Sequence, residues 1–370
     1  MASQMTTVTE LHASGEGETA ADPPPALRRW PRPPCAPWAP SEAWYGLPLA
    51  KRLRRSVRAW LVLALAKLLR LLPYGFACAL GRGVGSLVFG LSGGLKRVTE
   101  TNLARAFPEL GAADRRRIGH GALRHLGQLV AEITQDLHAD RHVRELVELS
   151  PASRLVLEEA LAEGRGVVAA TGHIGNWEIG GRRLAAEGLP LFVVSREQNA
   201  PALTRWFDRS RQRAGIGLVW RRPGQHTSDA LVRLLEGNAI VALLCDQDAR
   251  VRSVFVPFFG SLASTPRGPG ELVLRTGAPL VVIRMQRLPG DRHRVLVERV
   301  ACPPRTGDHE RDVVAIVAAA TAALERGIRE APAEWTWFHD RWKTRPPEEA
   351  GADAAPSRGA SAALRPAGGG

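Results

Sequence analysis

Gly166-Val167-Val168-Ala169-Ala170-Thr171-Gly172-His173-Ile174-Gly175-Asn176-Trp177-Glu178 reads as a strand, a glycine-flanked turn and the start of a helix. An apolar run without alternation fits a strand covered on both faces, and Asn176 is a good helix N-cap. Outward from it, from Leu155 to Leu296, the same alternation recurs. A helical pattern over Leu155 to Glu163 precedes the strand. Leu191-Phe192-Val193-Val194-Ser195, Gly217-Leu218-Val219-Trp220, Ala239-Ile240-Val241-Ala242-Leu243-Leu244 and Pro279-Leu280-Val281-Val282-Ile283 follow as further apolar runs. Between them lie helical stretches around Ala202 to Ala214, Ser228 to Glu236 and Glu271 to Thr276. The alternation predicts an α/β fold, a mixed, largely parallel sheet flanked by helices.

Residues 51 to 95 have a different character. Lys51, Arg52, Arg54, Arg55 and Arg58 lead into Ala59-Trp60-Leu61-Val62-Leu63-Ala64-Leu65-Ala66, and a second apolar segment runs from Leu71 to Leu95, broken by Pro73 and Arg82. The first run is shorter than the roughly 20 apolar residues of an ordinary span. Buried core helices would fit the apolar pattern, but the cationic flank and Trp60 favour an N-terminal apolar helical membrane anchor, spanning or lying in the interface. Residues 96 to 149 read as helices with basic faces beside it. The expected organisation is a disordered proline-rich leader (1–48), membrane-associating helices (49–95), a main domain (96–346) and a disordered tail (347–370).

Fifty Lys+Arg against 37 Asp+Glu give a net charge of +13, which calls for an anionic partner: nucleic acid, an acidic membrane or a phosphorylated substrate. Cys35, Cys78, Cys245 and Cys302 form no C-x-x-C pair, so neither a disulfide framework nor a zinc site is indicated. The polar, proline-rich first fifty residues do not read as a cleavable signal peptide.

In a sheet of this class, chemistry gathers at the carboxyl ends of the strands. Three polar groups fall there. His173 follows its strand directly, with Glu178 in the first helical turn; a carboxylate on one ring nitrogen would leave the other as a general base. Taken alone, the pattern is better read as a histidine capping its own helix, with Glu178 an ordinary first-turn acid; the polar groups at neighbouring strand ends reverse that order. Ser195-Arg196-Glu197-Gln198-Asn199 offers a guanidinium for phosphate or developing charge. Asp246-Gln247-Asp248 could hold a metal, but with no histidine nearby in sequence, positioning a hydroxyl or an arginine fits better. The aromatic and basic stretch Glu334-Trp335-Thr336-Trp337 to Arg345-Pro346 reads as packed tryptophans closing one side of the site, or as a single-stranded nucleic-acid surface.

Several blocks occur in a characteristic order: Asn102-Leu103-Ala104-Arg105-Ala106-Phe107-Pro108, His173 to Glu178, Arg196 with Asn199, Asp246-Gln247-Asp248, Val254 to Gly260, and Glu334 through Pro346. Together they resemble the lipid A biosynthesis (late) acyltransferase family of the lysophospholipid acyltransferase-like superfamily, to which phosphatidylinositol mannoside acyltransferases also belong. The resemblance runs from about Leu65 to Pro346. It implies an O-acyltransferase on the cytoplasmic face of a bacterial inner membrane. His173 would be the general base and Glu178 its orienting partner. Arg196, Asn199, Asp246, Gln247 and Asp248 would bind substrate or organise the site. The co-substrate would be acyl-ACP or acyl-CoA, the acceptor a phosphorylated glycolipid, with membrane phospholipid as a further partner and neither cofactor, metal nor nucleic acid required. Ala249-Arg250-Val251-Arg252 departs from the family's Asp-x-Gly turn, and the leader lies outside its pattern. The competing functions are a non-catalytic basic membrane- or nucleic-acid-binding protein and a hydrolase using the same dyad with water.

Overall fold

The computed structural model describes residue 40 and residues 42–135, 140–221 and 227–346. The expected tail, and the expected leader apart from 40 and 42–48, lie outside the described residues. The described residues begin with helices α1 (Glu42–Tyr45), α2 (Leu49–Leu69), α3 (Tyr74–Leu91), α4 (Gly93–Ala106), α5 (Ala112–Thr134) and α6 (Asp140–Leu146). The alternating part follows as β1 (Val147–Leu149), α7 (Pro151–Ala162), β2 (Val167–Thr171), α8 (Trp177–Ala186), β3 (Leu191–Ser195), α9 (Pro201–Arg213), β4 (Gly217–Trp220), α10 (Thr227–Glu236) and β5 (Ile240–Leu244). A hairpin, β6 (Ser253–Phe258) and β7 (Ser261–Pro266), precedes α11 (Gly268–Thr276), β8 (Leu280–Leu288), β9 (Arg292–Arg299) and α12 (His309–Glu330).

Seven strands form one sheet in the order β1-β9-β8-β2-β5-β3-β4, with β2 at its centre. All neighbours are parallel except β8 and β9, so the five strands from β8 to β4 run one way and β1 and β9 the other. This is the mixed, largely parallel α/β sheet expected. The antiparallel β9 was not anticipated: Arg292-His293-Arg294 and Glu298-Arg299 interrupt its apolar positions with charge, as an outer antiparallel strand tolerates and a central one does not.

Residues 167 to 170 of β2 are fully buried. Val168 and Ala170 pack into one apolar cluster with α11 and α12, whereas Val167 and Ala169 pack into another with α7 and α8. The two-residue period of a strand thus divides a continuous apolar run between two covered faces. Local signals set the helix ends. Ser150 caps α7 by accepting from Ser153 N–H, with Pro151 in the first turn. Gly277, at φ 67°, closes α11 in the left-handed conformation.

The N-terminal helices dock on this unit. α3 crosses α5 closely enough that a Cβ on Gly85 would lie 2.1 Å from the Leu123 carbonyl oxygen. Its one arginine, Arg82, meets Asp291 in the β8–β9 turn at 2.7 Å. Tyr74–Leu91 is, among the described residues, the one helix long and apolar enough to cross a membrane, and it leaves Phe76, Leu80, Val84, Leu87 and Leu91 exposed. α2 also exposes Leu53, Val57, Trp60, Leu61, Leu65 and Leu68 beside its cationic residues.

Candidate active site

Parallel strands put the turns after β2, β5 and β3 on one edge of the sheet. His173 follows β2, Asp246 follows the adjacent β5, and Arg196 follows β3, one strand further out. Asp246 Oδ1 receives the His173 ring nitrogen Nδ1 at 2.8 Å. Its Oδ2 accepts the His173 backbone N–H at 2.6 Å and the Trp335 indole N–H at 2.8 Å. A carboxylate so placed holds Nδ1 protonated and leaves the lone pair on Nε2; Nε2 has no hydrogen-bond partner among the described residues. Burial alone would lower the His173 pKa, but the Asp246 charge and hydrogen bond, with the more distant Glu178, raise it above the ordinary histidine value. Asp246 is also buried, which would raise its pKa, yet the charge and hydrogen bonds of His173 hold it below the usual carboxylate range.

The expectation that Glu178 orients His173 needs correction. Glu178 lies in the first turn of α8, where its carboxylate is gripped by both arms of Arg211 from α9, with Arg211 Nε at 3.1 Å. Burial pushes the Glu178 pKa up, and Arg211, Arg182 and His173 together bring it below normal. Its field reaches the imidazole; its oxygens are committed elsewhere. What touches His173 from the helix is Trp177, whose ring meets the imidazole edge-on at 4.7 Å.

The turn carrying His173 is pinned from several sides. Any side chain at Gly172 would meet Asp246, and Gly175, at φ 59°, lies against Met285. Gly175 N–H donates to the Glu334 carbonyl at 3.0 Å, and the Glu334 carboxylate accepts the Arg287 N–H. Asn176 caps α8 through Ile179 N–H and donates to Glu132 Oε2 at 2.8 Å. Glu132 in turn takes Arg287 bidentately and Gln128 at 2.9 Å. Burial raises the Glu132 pKa, but His293 and Arg287 drive it well below the carboxylate norm, so it stays ionised. His125 is pushed down to about 3, first by burial and then by Arg287. It is therefore neutral, donating from Nε2 to the Gly175 carbonyl at 3.2 Å. Glu132, His125 and Arg287 were not singled out in the sequence. A usable signal was Glu132 itself, a charge on the face of α5 that buries Gln128, Leu129 and Ala131.

The other expected site residues divide. Asp248 accepts from Thr344 N–H and Oγ, and its own N–H donates to His339 Nε2, so it latches the C-terminal segment. Gln247 is half-buried beside it, and Arg196 and Asn199 are exposed on the loop after β3, hydrogen-bonded to neither His173 nor Asp246. Two histidines thus reach the Asp246–Asp248 segment in space though none does in sequence. Both are committed to hydrogen bonds, and no group of three His, Cys, Asp or Glu residues suited to a metal occurs among the described residues. Trp335, Trp337 and Trp342 are buried, and Asn102 donates to the carbonyls of Trp337 and His339. The tryptophans therefore close one side of the site, as packed side chains.

A family model described as bacterial lipid A biosynthesis acyltransferase matches residues 48–344. The chain is 26% identical over 280 residues to a lipid A biosynthesis palmitoleoyltransferase of Escherichia coli (strain K12), covering 74% of this chain and 87% of the relative. It is 26% identical over 291 residues to a lipid A biosynthesis lauroyltransferase of the same organism, covering 78% and 92%. It is also 29% identical over 187 residues to a phosphatidylinositol mannoside acyltransferase of Mycolicibacterium smegmatis, covering 50% and 60%.

Proposed function

The chain belongs to the bacterial lipid A biosynthesis acyltransferase family and is an acyltransferase, and from that premise we propose that it moves a fatty acyl chain from an acyl thioester to a hydroxyl of a phosphorylated glycolipid. The observation that carries the mechanism is the His173 imidazole, held through Nδ1 by Asp246 so that Nε2 is the nitrogen left to act as base. In this reading Nε2 takes the proton of the acceptor hydroxyl, the oxygen attacks the thioester carbonyl, and the tetrahedral intermediate collapses to an ester. The thiol leaves with the proton returned by His173. Asp246 stabilises the imidazolium formed on the way; Glu178 adds negative potential while fixing α8 to α9. Arg196, Asn199 and Gln247, near the same sheet edge, contact donor or acceptor. The donor is acyl-ACP or acyl-CoA, and the thioester supplies all the activation the reaction needs.

The exposed apolar faces of α2 and α3, with the cationic residues of α2, support attachment to the cytoplasmic leaflet of the inner membrane. Purified enzyme with acyl-ACP or acyl-CoA and candidate phosphoglycolipids, read by mass, tests the assignment. The expected product gains one acyl group, and His173→Ala with an unchanged melting temperature makes none; undiminished turnover by that variant sinks the mechanism. The 29% identity to a phosphatidylinositol mannoside acyltransferase makes that acceptor the second reading. Product formed only with the mannoside would establish it.

A further inference from the structure

α2 and α9 meet where Trp44, Ala59 and Ala200 pack together, and beside that contact they enclose a groove of about 750 Å³. Six of its lining residues are lysine or arginine, contributed by both helices, and none is acidic. Aromatic and aliphatic side chains, among them Trp60 and Trp206, line it as well. A cavity lined by both cations and indoles matches neither a free inorganic ion nor a neutral acyl chain; it matches an amphiphile with an anionic head. Arg52 strengthens the case. Its guanidinium lies 5.4 Å from the Tyr45 ring centroid and 5.9 Å from that of Trp44, while its buried Nε–H has no hydrogen-bond partner among the described residues. A buried donor without an acceptor is costly, and a phosphate oxygen in the groove would satisfy it.

The groove is distinct from the reacting centre. At 100° per residue, Arg209, which lines the groove, and Arg211, which grips Glu178, point about 200° apart on α9. Asp208, which accepts from Ser195 Oγ, likewise faces the sheet. One helix therefore separates a ligand in the groove from the His173 turn.

We propose that the α2–α9 groove binds one molecule of an acidic phospholipid, its phosphate against Arg52, its upper acyl region against Trp60 and Trp206, and the other lysine and arginine side chains of the groove supplying the attractive field. The bound lipid would clamp α2 to α9 and so fix α9, which carries Arg211, relative to the bilayer. The inference rests on the membrane reading above and is independent of the His173 chemistry.

Native mass spectrometry of the full chain, released from neutral detergent after incubation with phosphatidylglycerol, phosphatidylcholine or inorganic phosphate, tests it. The expected result is a one-lipid adduct with phosphatidylglycerol, far less with phosphatidylcholine and none with phosphate. Lys67→Gln with Arg209→Gln, both exposed positions, should reduce that adduct about tenfold. Arg54→Gln with Arg58→Gln, the same charge loss on α2 away from the groove, should change it by less than about twofold. Equal losses in the two pairs, no loss in either, or a phosphate adduct as strong as the lipid's would overturn the proposal. Vesicle flotation is read in parallel: protein that floats with phosphatidylglycerol vesicles but lacks the pair-specific adduct disproves the groove and leaves the membrane reading standing.

Discussion

At the scale of single residues, the site turns on which carboxylate touches His173. Asp246 does so through two hydrogen bonds, and Glu178 is held by Arg211. The two acids should therefore fail differently. Asp246→Asn removes the charge that stabilises the imidazolium and fixes the tautomer, and should cut kcat by roughly 10³ to 10⁴-fold. Glu178→Gln leaves the mostly buried Arg211 without its bidentate partner, and should cost about 3 kcal/mol of stability with a smaller loss of kcat. Steady-state kinetics beside urea melts separates them; an Asp246→Asn enzyme more active than Glu178→Gln would refute the assignment. The pH profile follows the same logic. A general base acts when neutral, so kcat/KM should fall as the solution is acidified through the His173 pKa. That acid limb lies above the ordinary histidine value of about 6.5 chiefly because Asp246 raises it, and it should move downward in Asp246→Asn, where only the more distant Glu178 still opposes burial.

Individual elements show how the site is held. α5 is the support: its Glu132 reaches the Asn176 cap, its His125 the Gly175 carbonyl, and its glycine-lined face α3. The α3–α5 crossing gives a direct comparison. A Cβ on Gly85 would collide with the Leu123 carbonyl, whereas one on Gly83 meets nothing within 4 Å. Gly85→Ala should destabilise by about 2 kcal/mol or shift α3. Gly83→Ala should stabilise by roughly 0.5 to 1 kcal/mol, as alanine does within a helix. Denaturant midpoints in the same detergent decide it, and equal effects would show that the two helices do not pack as described. The hairpin β6–β7 is the element whose pairing was least visible in advance. Its turn places Phe259 and Gly260 at positive φ, and Phe259 N–H is held by the Glu325 carboxylate of α12 at 2.6 Å.

For the whole molecule, the charge of +13 is concentrated where the exposed apolar faces of α2 and α3 lie, beside Lys51, Arg54, Arg55 and Arg58. Attachment should combine the two forces. Binding to vesicles containing phosphatidylglycerol is expected to weaken as salt rises from about 0.05 to about 0.5 M, because the screening length contracts several-fold. A residual, salt-resistant fraction should remain from apolar burial. Co-flotation measures both, and binding that salt abolishes entirely would mean that no apolar surface enters the bilayer.

The sequence by itself determined the alternating elements, the parallel core around Gly166 to Ala170, and the residues His173, Glu178, Asp246 and Arg196 at strand ends. Hydrophobic period, caps and glycine turns are local, and local physics is written in neighbouring residues. Only the tertiary structure decided the partners. Asp246 lies 73 positions from His173, and Glu132 lies 44 positions from Asn176. Whether a carboxylate meets an imidazole or a guanidinium depends on which strand is neighbour to which. Placing β5 beside β2 gave the histidine its carboxylate from across the sheet, and placing α9 against α8 turned Glu178, five residues away in sequence, to another charge.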